Sequence, residues 1–396
     1  MTFSDFTLHP RLQHAIQSAG FVTPTPIQAR AIPVGLAGRD LIGTAQTGTG
    51  KTAAFVLPIL QRLLDDPRKL GRTRALIVTP TRELAEQIYT TIRLFSQGTK
   101  IRSATVYGGV GMNPQDRALR TGVEIIVACP GRLLDHIDRG AAALQGVEML
   151  VLDEADRLLD MGFLPAVRRI LSHLPRERQT MLFSATFAPE LNQLTAQALR
   201  NPARVDAGIN TPTKTVAHAL YPVPQHLKTV LLLHLLRETD TNSVLIFTRT
   251  KHRANRLAEQ IQRAGYATAV LHSNKSQNQR QFALDSFRSG KAQILVATDI
   301  AARGLDIATI SHVINYDMPD TADTYIHRIG RTGRAEREGD ALTLMTSEDA
   351  VTCREIERAL KAPIERRTLP DFDYSVPAPV LDQSAARSPR QQPQRS

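Results

Sequence analysis

The chain has 396 residues, with 49 Lys plus Arg against 38 Asp plus Glu, two Cys and no Trp. At about 150 residues per domain, this length predicts two or three domains. Its 42% apolar and 22% charged residues exclude wholesale disorder and a collagen-like chain. The net charge of +11 favours a polyanionic partner such as nucleic acid, while leaving ribosome binding, membrane-surface binding or plain solubility open. Cys129 and Cys353 follow no CxxC spacing, so neither a disulfide framework nor a zinc site is expected. The start, Met1-Thr-Phe-Ser-Asp-Phe6, lacks the basic-then-apolar profile of a signal peptide. The longest apolar stretch, around Thr229–Leu236, is too short to span a bilayer and is broken by His234. Together these predict a soluble, reduced, cytoplasmic protein with no membrane association.

Taken in chain order, short apolar runs alternate with amphipathic helical stretches, the rhythm of parallel βαβ units. Strand-like Asp40–Gly43 is followed by predicted buried strands at Ala75–Thr79, Ile125–Ala128, Met149–Leu152 and Thr180–Phe183. The stretch Asn201–Thr215 is rich in Pro, Thr, Ala and Asn and reads as a connector. A second strand series follows at Val244–Phe247, Ala267–Leu271, Ile294–Ala297, His312–Asn315 and Ala341–Met345. After about residue 369, Pro, Ser, Gln and Arg dominate and large apolar residues are few, which predicts a disordered tail. The predicted fold is therefore α/β: two tandem domains, 1–206 and 219–368, each a parallel sheet flanked by helices. A linker at 207–218 joins them, and a tail covers 369–396.

Ala45-Gln46-Thr47-Gly48-Thr49-Gly50-Lys51-Thr52 lies between a strand and a helical stretch, where a phosphate loop must sit. Gly48 and Gly50 let backbone N–H groups turn inward onto phosphate oxygens at a helix N-terminus. Lys51 is expected to neutralise β/γ-phosphate charge and the Thr52 hydroxyl to hold Mg²⁺. The usual first glycine of the pattern is Ala45. Met149-Leu-Val-Leu-Asp153-Glu154-Ala-Asp156 ends an apolar strand in acidic residues. There Asp153 suits the Mg²⁺ shell, and Glu154 suits orienting or deprotonating the attacking water. Alone, such an acidic run is more often a helix N-cap; beside a phosphate loop the catalytic reading prevails.

These two motifs resemble those of DEAD-box RNA helicases, and the resemblance runs in family order over roughly residues 3 to 345. Gly20-Phe-Val-Thr-Pro-Thr-Pro-Ile-Gln28 is similar to the family's Q motif, and Phe3 stands 17 positions before Gly20. Pro80-Thr81-Arg82-Glu-Leu84, Gly108-Gly109 and Cys129-Pro130-Gly131-Arg132 resemble its first-domain RNA-contact motifs. Ser184-Ala-Thr186 resembles the motif that, with Asp156, couples hydrolysis to duplex opening. Gln277-Asn-Gln-Arg280, Ala297-Thr298-Asp-Ile-Ala-Ala-Arg-Gly304-Leu-Asp306 and His327-Arg-Ile-Gly-Arg331-Thr-Gly-Arg334 complete the set. The compact core looks most like the bacterial RhlE-type branch. Cys129 in place of the usual Thr, Ser273 after His272 and Ala54 after the phosphate loop depart from the family pattern, none at a nucleotide-chemistry position.

The resemblance implies an RNA-stimulated ATPase that separates short RNA duplexes locally, with little sequence preference. Gln28 has the donor and acceptor to suit the adenine edge, and Phe3 is expected to stack on the base. Arg331 and Arg334 are expected as phosphate-directed guanidiniums from the second domain, reaching the nucleotide only on closure. Asp306 is implied at the ribose, and His327 as the link between nucleotide and Ser184–Thr186. RNA contacts fall to Pro80, Thr81, Arg82, Gly109, Pro130, Gly131, Arg132, Thr250, Gln277, Arg280, Thr298 and Gly304, where small residues and Arg or Thr meet phosphates. Ribosomal particles and RNA-decay proteins are family-level partners, and a monomer is expected. The alternative, an ATP-gated RNA clamp without productive unwinding, uses the same motifs.

Overall fold

The computed structural model describes residues 1–45, 48–67, 71–187, 189–206, 216–239, 242–302, 310–332 and 339–378. Gln46, Thr47, Gly304, Asp306 and Arg334, the expected linker's 207–215 and the tail from 379 onward lie outside them.

Fourteen strands among the described residues form two seven-stranded sheets. In the first, β1 (Leu41–Thr44), β2 (Ala75–Val78), β3 (Ser103–Val106), β4 (Ile125–Ala128), β5 (Met149–Leu152), β6 (Gln179–Ser184) and β7 (Ala203–Asp206) run in spatial order β3-β4-β2-β5-β6-β1-β7. In the second, β8 (Val216–Pro222), β9 (Val244–Thr248), β10 (Thr268–Leu271), β11 (Ile294–Thr298), β12 (His312–Asn315), β13 (Gly339–Met345) and β14 (Glu365–Arg366) run β10-β11-β9-β12-β13-β8-β14. Every described pairing is parallel.

Parallel strands covered by helices on both faces must be apolar on both faces, so they read as continuous runs. Alternate residues then fall into opposite cores. Ala75, Ile77, Met149 and Val151 enter one cluster of the first domain, while Leu76, Val78, Leu150 and Leu152 enter the other. The second domain repeats this with Leu245 and Phe247 against Val244 and Ile246.

The structure corrects both ends of the expected second domain. Residues 216–218, placed in the linker, open β8, whose Val216, Ala219 and Leu220 are buried beside β13. Residues 369–378, placed in the tail, are ordered by packing: Leu369 and Phe372 are buried in the second core, and Phe372 meets Tyr374 edge-on at 4.7 Å between centroids. No described helix is long and apolar enough to cross a membrane.

Candidate nucleotide site and nucleic-acid cleft

Because the strands are parallel, the segments after them emerge at one edge of each sheet, the usual place for ligand sites. β1 leads to the phosphate loop, β5 to Asp153–Asp156, β6 to Ser184–Thr186, β2 to Pro80–Leu84, β3 to Gly108–Gly109 and β4 to Cys129–Arg132. β5 and β1 flank β6, which brings the acidic motif, Ser184 and the phosphate loop side by side.

The helix Lys51–Asp65 begins on Gly50, whose φ of 88° lies in the left-handed region. A Cβ there would come within 2.3 Å of the Gln28 amide nitrogen, so only glycine fits. Gln28 is buried; its Nε2 donates to the Gly50 carbonyl at 3.1 Å, and its Oε1 accepts from Thr25 N–H at 2.9 Å. The Q-motif glutamine thus grips the phosphate loop itself. The buried Lys51 Nζ donates to the Ala45 carbonyl at 2.8 Å, and Thr52 is half-buried on the first turn.

Phe3 departs from expectation. Its ring is 2% exposed in the first-domain core, edge-on to Phe6 and Phe21 with centroids 5.8 Å apart in each pair. Phe6, Phe21 and the surrounding core leave it no open face for a base, so it anchors the N-terminal segment.

Asp153 is buried, and its Oδ1 accepts from Glu154 N–H at 3.0 Å. Burial pushes its carboxyl up to about 7, against the pull of Lys51. Glu154 adopts left-handed φ 51°, ψ 54°. One of its oxygens accepts from Arg157 Nη1 at 2.6 Å; the other, Oε1, is buried with no hydrogen-bond partner among the described residues. Asp156 Oδ2 accepts from Ala185 N–H at 3.0 Å, Thr186 N–H at 2.8 Å and Thr186 Oγ1 at 3.2 Å. Ser184 Oγ closes the network, accepting from Asp156 N–H at 3.1 Å and donating to the Thr186 carbonyl at 2.6 Å. Burial pushes the Asp156 carboxyl up, but Lys51 and the Thr186 N–H outweigh it, leaving a net lowering.

The second domain closes on this edge. Arg157 lines one cavity with His327, Arg328 and the buried Arg331. Burial holds the His327 imidazole down at about 4, with Arg157 adding to the effect and Asp156 opposing it. Arg328 is fixed by Asp299 through two 2.6 Å contacts, by Asn315 Oδ1 at 3.0 Å and by the Asp317 carbonyl at 2.7 Å.

A second cavity, of about 350 Å³, runs between the domains and gathers many of the expected RNA-contact residues. Pro80, Thr81, Arg82, Gly131, Arg132 and Arg280 line it together with Cys129 and Gly108. Gly109 (φ 79°) lies under Arg82, whose guanidinium a Cβ would strike at 1.9 Å. Thr81 and Thr250 play matching parts in the two domains. Each hydroxyl caps the helix after a central strand, accepting from Leu84 N–H at 3.3 Å and Arg253 N–H at 3.2 Å. Pro130 sits at the first turn of Pro130–Asp138, and Thr298 ends β11. Gln277 opens the helix Gln277–Arg288, its buried Oε1 without a hydrogen-bond partner among the described residues. Arg280 corrects its sequence reading: Nε and Nη2 contact Glu83 Oε1 of the first domain at 2.7 and 2.6 Å. Its charge is engaged in joining the domains. Cys129 caps nothing with its side chain, and burial pushes its thiol up to about 12.

Sequence reasoning passed over Arg157 and Glu83 as functional residues. Both stand inside or beside quoted motifs, but only their burial and partners show that one holds Glu154 and the other holds Arg280.

Comparison with known proteins agrees with this geometry. The DEAD/DEAH box helicase model matches residues 25–194, and the helicase conserved C-terminal domain model matches 227–336. The chain is 45% identical over 373 residues to RNA helicase CrhR of Synechocystis sp., covering 93% of this chain and 75% of that protein. It is 41% identical over 377 residues to DEAD-box ATP-dependent RNA helicase CshA of Bacillus licheniformis, covering 95% and 77%. Saccharomyces cerevisiae Dbp5 bound to RNA and ADP BeF3 superposes with a TM-score of 0.84 at 32% identity, covering 93% of this chain and 96% of that one. A DEAD box protein from Methanococcus jannaschii reaches 0.55 at 34% identity, covering 93% and 99%. With two opposed parallel-sheet domains, a phosphate loop facing an acidic strand end, and relatives spanning nearly its whole length, the chain belongs to the DEAD-box ATP-dependent RNA helicases.

Proposed function

We propose that ATP is held between Lys51, Thr52 and Gln28 of the first domain and Arg331 and Arg334 of the second, and that RNA lies across the cleft between Arg82, Arg132 and the second domain. The observation that carries this reading is the closed edge-to-edge arrangement. Arg157 beside Glu154 shares a cavity with His327 and Arg331, while Glu83 pairs with Arg280 on the cleft side. ATP and RNA each bridge both domains, so both favour the closed state and are thermodynamically coupled. A strand gripped at its phosphates by two fixed surfaces is bent out of duplex geometry, and its partner strand is lost locally.

Glu154 accepts a proton from, or orients, the attacking water through its unpartnered Oε1. Arg331 offsets charge developing on the γ-phosphate, and Asp156 passes the state of the site to Ser184 and Thr186. The donor set fits Mg²⁺: Asp153 is a buried carboxyl disfavoured by desolvation that a cation would relieve, with Thr52 as the hydroxyl ligand. Held by Asp153 and Thr52, Mg²⁺ would supply positive charge against the triphosphate. Among the described residues no three His, Cys, Asp or Glu gather into a metal cage, so Asp153 and Thr52 would hold the ion together with the nucleotide.

A cytoplasmic location, ribosomal RNA as a substrate class and RNA turnover belong to the same proposal. Fungal relatives named ATP-dependent rRNA helicase, 44% identical over 375 residues in Sclerotinia sclerotiorum, support the second. Bacterial and fungal relatives lie at similar identity, so the RhlE-type branch rests on the sequence pattern alone. The test is ATPase stimulation by RNA and by single-stranded DNA, together with displacement of a short duplex strand. RNA-selective stimulation with displacement is expected. Equal stimulation by DNA overturns the RNA assignment, and stimulation without displacement favours the clamp.

A further inference from the structure

We propose that the RNA track continues beyond the interdomain cleft into a groove on the second domain, where Phe282 stacks on a base. This rests on reading the cleft as the RNA path. The groove is a cavity of about 870 Å³ between β10, the edge strand of the second sheet, and the helix Gln277–Arg288. Lys275 lines both the cleft and the groove, so the two adjoin.

The lining has the chemistry of a nucleic-acid surface. Lys275 and Lys291 bring positive charge, Asn278, Gln279 and Gln262 bring amides, and among the described residues no Asp or Glu lines it. Phe282 is 75% exposed, the most exposed large apolar side chain among the described residues. A lone aromatic ring left in water beside lysines suits sequence-tolerant stacking on a base, with the ammonium groups on flanking phosphates. Asn278, Gln279, Phe282 and Ser286 share one helix face. From Asn278 to Ser286 that face extends about 12 Å, room for about three stacked nucleotides. An acidic apolar peptide would also suit lysines and an aromatic; the position beside the cleft, with Lys275 shared between them, and the amide-rich walls favour RNA.

The experiment measures binding of oligouridines of increasing length, extended at either end, to the full chain with a non-hydrolysable ATP analogue. The wild type should gain about five- to tenfold in affinity over roughly the last three nucleotides, the worth of one stacked base. Phe282→Ala should lose that gain while binding the shorter oligonucleotides unchanged. Lys291→Gln should lower the slope of log affinity against log salt by about 0.7 for long oligonucleotides only. A wild type with no length gain, or a gain that survives both substitutions, overturns the proposal and leaves the groove to a protein ligand. No analogue-dependent binding at any length would instead sink the reading of the cleft itself.

Discussion

Glu154 stands in the left-handed region without being glycine, a conformation that costs on the order of 1 kcal/mol. The surroundings hold it there: its N–H is bound by Asp153 Oδ1, and one carboxylate oxygen by Arg157. What this strain secures is the placement of the other oxygen, Oε1, buried and without a partner among the described residues. Glu154→Gln keeps the shape and removes the carboxylate proposed to orient or deprotonate the water. RNA-stimulated phosphate release should fall at least about 100-fold, with ATP affinity within a few-fold of wild type. Turnover close to wild type would remove Glu154 from the reaction. His327 carries a pH prediction. Its imidazole is held at about 4, chiefly by burial, so it is neutral across the working range. An unfolded His takes up its proton near 6.5, so as pH falls from there toward 4 the unfolded state binds the extra proton and stability drops. Above 6.5 the term is flat. Between pH 7 and 4, wild type should therefore lose on the order of 1–3 kcal/mol more than His327→Asn, read from thermal unfolding.

At the level of elements, β6 carries the coupling between the acidic motif and its neighbours. Asp156 Oδ2 gathers two N–H groups and one hydroxyl from the segment after β6, so a shift of the acidic motif moves Ala185 and Thr186 with it. Thr186→Val removes only the hydroxyl donor, worth about 1 kcal/mol, and keeps the shape. ATPase activity should stay within about threefold while the rate of duplex separation falls by more; equal loss in both assays would mean that the hydroxyl serves chemistry alone. The elements that build this network were legible because both faces of each central strand are buried. Ile125–Ala128, Met149–Leu152 and His312–Asn315 coincide with their predicted runs. The missed strands are those with weaker burial signals. Ser103–Val106 and Ala203–Asp206 lie at the sheet edges and are partly exposed, so no apolar run marks them. Val216–Pro222 adjoins a stretch whose Pro and Thr content read as linker. At the site, residue order marked the stretches around Lys51 and Asp153–Asp156, which the fold brings to one edge of the first sheet. It could not reveal that Phe3 is walled in by Phe6 and Phe21, nor that Arg280 turns to Glu83, because both depend on three-dimensional packing.

For the whole molecule, the question is what holds two separately folded domains edge to edge. On the cleft side the domains are joined by Arg280 and Glu83, whose side chains are 11% and 5% exposed. Burying such a pair costs desolvation that its attraction roughly repays, so the pair gives closure direction more than strength. Removing one partner is different, because the closed state then buries a lone charge while the open state leaves it in water. Arg280→Ala should therefore act on the closed state selectively. The factor by which an ATP analogue tightens RNA binding should drop about five- to tenfold, more than RNA affinity drops without nucleotide. Because coupling is reciprocal, RNA should tighten analogue binding by correspondingly less. The double exchange Glu83→Arg with Arg280→Glu restores opposite charges across the same boundary and should recover part of the lost factor. An undiminished factor in Arg280→Ala, or no recovery in the exchange, would show that closure is set by the ligands alone.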